Sequence, residues 1–154
     1  VSNKIVILSD GTPWRPFIHV KDMARAIDWG ISRDVQTGGS FLAINAGSDE
    51  WNYQVKDLAE CIAQAIPGAQ VYTNKDAPPD KRSYQVDFSK FRELAPRHQP
   101  QVSLSDAIRG LKEGLELIKF NDIDFRNSSL IRLKVLKDLV RMNQLNKNLE
   151  WVRD

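Results

Sequence analysis

Three stretches with the apolar period of a helix, interspersed with short β-like runs over the first part of the chain, constrain it more than any other feature. Val20, Met23, Ala24, Ile27 and Ile31 recur on one helix face until "TGGS" (37–40) stops the pattern. Val55, Leu58, Ala59, Ile62, Ala63 and Ile66 repeat it, ended by Pro67-Gly68. Leu104, Ala107, Ile108, Leu111, Leu115 and Ile118 make the third face, with Ser103 or Ser105 as its cap. Between them, "KIVIL" (4–8), "RPFIHV" (15–20), "FLAINAGS" (41–48), "AQVYTNK" (69–75) and "SYQVD" (83–87) read as strands, and "FSKFREL" (88–94) as a short helix. Asp10-Gly11 is a hairpin signal, so the first two strands are expected to meet there antiparallel, with the first helix packed on their sheet. Such alternation defines the α/β class, here an α+β-like fragment with a small mixed sheet and packed helices. With "SYQVD" only strand-like, about four strands remain, too few for a complete doubly wound sheet.

From Asn121 the strand signals stop. Leu130, Leu133, Leu136, Leu139 and Val140 form one helical stripe, flanked by Arg132, Lys134, Lys137 and Arg141 and capped by Asn127, Ser128 or Ser129. Two domains are therefore expected, residues 1–120 and an amphipathic extension over 121–154. The 128–142 helix either docks on its own core or serves self-association or partner binding; a homodimer is one outcome of the second use. Nucleic acid is disfavoured as a partner, because Asp138 and Glu150 interrupt the basic residues and no continuous phosphate-tracking stripe emerges.

The 154 residues carry 42% hydrophobic and 27% charged side chains and a net charge of +2, the composition of a folded soluble domain. Cys61 is the single cysteine and has no internal disulfide partner, which points to a reducing, cytoplasmic setting. No apolar run reaches the length of a membrane span and no signal-peptide pattern is present, so no membrane association is expected. A start on Val1 that leads straight into a strand pattern is expected of a processed or deliberately cut polypeptide.

Two clusters could bind a ligand. Arg15 lies between Gly11 and a helix start, where a guanidinium fork and the helix dipole suit a phosphate; the alternative is an ion pair with Asp10 or Asp22. In "DAPPDKRSYQVD" (76–87), Asp80, Lys81, Arg82 and Tyr84 crowd a proline-stiffened loop that could grip a diphosphate and a sugar hydroxyl, or be a solvated charged loop. Trp14 follows a turn and could line a cleft or simply pack. His19 and His98 have no companions at metal spacing, so no metal is expected. The sequence has no Gly-x-Gly-x-x-Gly turn, Walker loop or Gly-x-Ser-x-Gly. Four residues after Tyr53, Tyr72 and Tyr84 stand Asp57, Asp76 and Phe88, so no Tyr-x-x-x-Lys pair exists.

"DGTPWRPFIHVKDMARAI", "FLAINAGSDEWNYQVKDLAECIAQAI" and "PDKRSYQVDFSKFREL" resemble, in that order, the C-terminal half of the extended short-chain dehydrogenases, specifically the NAD-dependent sugar-nucleotide epimerases and dehydratases. The resemblance spans about residues 4–120; "RNSSLIRLKVLKDL" is similar to a C-terminal extension of some members. It implies a chain without catalytic residues, holding a nucleotide sugar, whose NAD or NADP and catalytic Tyr and Lys belong to an N-terminal Rossmann domain. Arg15 matches the family arginine at the diphosphate; Asp80 and Tyr84 match the nucleotide loop, with Arg82 sharing that duty and Lys81 and Trp14 further candidates. Ala77 stands where many members carry another arginine.

Overall fold

The computed structural model describes residues 2–74, 76–77 and 82–152. They fall into two compact units, one of residues 3–114 and one of Leu115–Asp154 with Val1–Ser2. The class is mixed α/β, with two small sheets and five helices among the described residues.

In the larger unit, strand β1 (Lys4–Ile7) runs into the DG turn without forming a hairpin. It pairs in parallel with β4 (Gln70–Thr73), Lys4 against Gln70 and Ile7 against Thr73. β2 (Trp14–Pro16) pairs antiparallel with β3 (Asn52–Gln54) in a second sheet. The expected hairpin is thus overturned, for a local reason: the Asp10 carboxylate accepts the amide and hydroxyl of Thr12, closing an Asx-type turn on itself. Gly11 adopts φ +83°, and its carbonyl accepts the Lys56 amide at 2.9 Å. A Cβ on Gly11 would stand 2.9 Å from that of Lys56, so the turn is aimed at the next helix rather than at a returning strand.

Helix α1 (Val20–Ser32) has the expected span but not the expected face. Val20, Met23, Ile27 and Ile31 are exposed, and the buried residues are Asp22 and Trp29. Trp29 meets α3 (Ser89–Leu94) instead of a sheet: its ring stands edge-on to Phe91 at 5.6 Å, with Ala95 completing the buried cluster. Leu42, Ile44 and Ala46 pack against that cluster. They alternate with exposed Phe41, Ala43 and Asn45, the period of a strand, yet among the described residues no partner strand runs alongside and 41–46 form no ladder. Helix α2 (Val55–Ala65) lies against β1, β3 and β4, burying Ala59. Gly47 lets the Phe88 ring approach, since a Cβ there would fall 2.6 Å from the ring edge.

Helix α4 (Leu104–Leu117) is capped by Ser103, whose hydroxyl accepts the Asp106 amide at 3.1 Å. Ser103 also donates to the Asp106 carboxylate, which holds that carboxyl below its usual range. The unit boundary falls between Gly114 and Leu115, inside this helix. In the smaller unit, α5 (Arg132–Arg141) starts after Ile131, beyond the expected caps, with Ser128 buried in the turn before it. Leu136, Leu139 and Val140 are half-buried, whereas Leu130 and Leu133 are exposed. Contrary to an all-helical expectation, the chain then folds back through a bridge between Leu145 and Trp151.

Candidate functional site

The two ligand-type clusters of the sequence come together along the edge of β2. Residues 13, 15 and 17 turn their backbone toward β3: the Phe17 amide donates to the Trp51 carbonyl and the Val55 amide to the Pro13 carbonyl. Trp14 therefore presents its backbone to the other side. There the Trp14 amide donates to the Ser83 hydroxyl at 3.0 Å, and the Tyr84 amide donates to the Trp14 carbonyl at 3.4 Å. Arg15 Nη1 donates to the Trp14 carbonyl at 2.7 Å and to the carbonyl of Arg82. One guanidinium thus ties the charged loop to the strand that carries it.

The "SYQVD" segment makes these contacts without becoming a strand. Past Tyr84 its backbone is held by a side chain: the Val86 amide donates to Asn52 Oδ1 and Asn52 Nδ2 donates to the Val86 carbonyl, both at 2.9 Å. A side-chain amide replaces the next ladder pair, so the ladder stops there. Arg82 and Tyr84 are exposed and Arg15 and Trp14 half-buried. Asp80 and Lys81 lie outside the described residues.

An open groove of about 620 Å³ borders this edge, with Trp14, Glu50, Asn52, Gln85 and Asp87 in its wall. The Asp87 carboxyl is held below the usual carboxylate range, chiefly by hydrogen bonds from the backbone and hydroxyl of Ser89. Asp49 is committed to structure, accepting the Phe88 amide at 2.9 Å and Arg92 Nη1 at 2.8 Å. The groove wall is acidic, with Asp49, Glu50 and Asp87 along it.

Asp22, one alternative partner for Arg15, is engaged elsewhere. Its carboxylate, 1% exposed, accepts the amides of Gln101 at 3.0 Å and Val102 at 3.1 Å and lies 3.4 Å from Arg25 Nε. His19 caps α1, its Nδ1 accepting the Lys21 amide, and His98 faces Asp28 at 3.5 Å. No group of three or more His, Cys, Asp or Glu able to hold a metal occurs among the described residues. None of their helices is long and apolar enough to cross a membrane. Sequence reasoning missed Ser83 as the clasp and Tyr53 as the residue opposite Arg15 in the β2–β3 register. A three-residue strand has too few positions to show a period, so no signal marked β3 in advance.

Residues 1–47 match the model of the NAD dependent epimerase/dehydratase family. That segment holds β1, β2 with Arg15, and α1. No curated protein and no solved structure matches the chain. The match supports a relationship to NAD-dependent enzymes of that family, whose cofactor is implied for a parent enzyme rather than for residues of this chain.

Proposed function

We propose that this chain is the nucleotide-sugar-binding portion of an NAD(P)-dependent epimerase or dehydratase, with Arg15 and Arg82 at the diphosphate and Tyr84 and Trp14 beside the nucleoside and sugar. The observation that carries the reading is the clasp of residues 82–84 onto β2, which sets two cations and two aromatic residues at one strand edge. A guanidinium preorganised by carbonyl contacts loses less freedom on meeting a phosphate than a solvated one. Asp80 and Lys81 belong to the same proposed site by their place in the loop.

The exposed α1 stripe supports a second body covering this unit, since Val20 is 71% and Ile31 82% exposed on a helix whose other face is buried. A Rossmann domain carrying NAD(P) and the Tyr and Lys of catalysis is the partner proposed there. Supplied with NAD(P) and a panel of nucleotide sugars, the chain alone is expected to give no epimerised or dehydrated product above a blank. Turnover by the purified chain would overturn that division of labour.

Arg15→Ala is expected to weaken nucleotide-sugar binding by one to two orders of magnitude, the loss of about 1.5–3 kcal/mol for a hydrogen bond to a charged group. Calorimetric titration of the wild-type and variant chains measures it directly. Equal affinities would remove Arg15 from the site.

A further inference from the structure

The β2–β3 ladder places a second donor opposite Arg15. Bonded pairs at 13/55 and 17/51 flank Arg15 and Tyr53, which are registered against each other and in phase with those pairs. Directly opposed residues project from the same face of a sheet, with Cβ atoms about 4.5–5.5 Å apart. Tyr53 is half-buried, and its ring stands edge-on to buried Trp51 at 6.1 Å and 87°, so the ring is braced. Its hydroxyl makes no hydrogen bond with any described residue, although a half-buried phenol usually finds a partner. Burial, with Cys61 and Glu50 nearby, pushes the phenol above its ordinary value, so it is an O–H donor throughout the neutral range.

We infer that the Tyr53 hydroxyl donates a hydrogen bond to the same diphosphate that Arg15 pairs with, an inference that rests on the nucleotide-sugar reading. Arg15 supplies charge and Tyr53 direction: a neutral donor braced on the neighbouring strand helps fix which phosphate oxygen faces the strand pair. Tyr53 is thus a ligand-positioning residue for which the sequence carried no signal.

The test titrates UDP, GDP, CDP and dTDP, and the corresponding nucleosides, into the full chain and its Tyr53→Phe, Arg15→Ala and doubly substituted forms. Tyr53→Phe keeps the ring against Trp51, and unchanged melting shows that the fold is intact. About tenfold weaker binding of the diphosphates is expected, with no change for nucleosides and a smaller loss when Arg15 is already Ala. Unchanged diphosphate affinity in Tyr53→Phe, beside a loss in Arg15→Ala, would overturn the Tyr53 role and leave the site reading standing. An equal loss for nucleosides would also overturn it. If no diphosphate binds the unsubstituted chain, both the inference and the reading beneath it fail.

Discussion

Asp22→Ala is expected to cost about 3–5 kcal/mol, from the loss of two hydrogen bonds to a buried charged group at about 1.5–3 kcal/mol each. The carboxylate is almost fully buried and its two oxygens accept separate backbone amides, those of Gln101 and Val102, from far along the chain. Removing it leaves two amides without acceptors and strips Arg25 Nε of the charge 3.4 Å away. Arg25 Nε has no hydrogen-bond acceptor besides, so the loss is not made good locally. Against a total stability of roughly 5–15 kcal/mol, this is enough to unfold a large fraction of molecules on modest heating. Urea titration followed by circular dichroism measures the effect. Asp22→Asn, which keeps one acceptor, should fall between; a loss below about 1 kcal/mol for the alanine variant would show that water replaces the carboxylate.

Phe91→Ala is expected to cost a similar amount, about 3–5 kcal/mol, by a different route. Phe91 is 1% exposed and its ring is the anvil for Trp29, whose indole is the main apolar anchor of α1. Alanine there removes the T-shaped contact and leaves a cavity beneath Leu42, Ile44 and Leu94. Phe91→Leu fills most of that volume and should lose markedly less. Denaturant midpoints rank the three proteins, and a change in tryptophan emission would report on Trp29. Equal midpoints for the leucine and alanine variants would show that ring geometry rather than volume holds α1.

Helix spans were legible in the sequence because local periodicity and caps set them: α1, α2 and α4 lie where the spacing and the serine before α4 put them. Which face is buried was not legible for α1. Four exposed apolar residues outweighed Trp29 in the pattern, and nothing local shows that Asp22 will find two amides some eighty residues away. Long-range pairing, beside the local closure of the Asp10–Thr12 turn, defeated the hairpin. Asp10-Gly11 has the composition of a two-residue turn, but both flanking strands take partners from distant parts of the chain. Of the candidate site, Arg15, Arg82 and Tyr84 could be chosen by residue type, and the structure brings them together at the β2 edge. Ser83 and Tyr53 matter only through pairing, which composition cannot display.

The parallel pairing of β1 with β4 has a kinetic consequence. Lys4 cannot meet Gln70 until the whole intervening chain, with both central helices, has been drawn into a closed loop. Local helices are expected to form before this ladder, because its loop-closure cost must be met before the pairing rewards it. Until then "KIVIL" is an unpaired apolar strand, so refolding yield should fall as protein concentration rises.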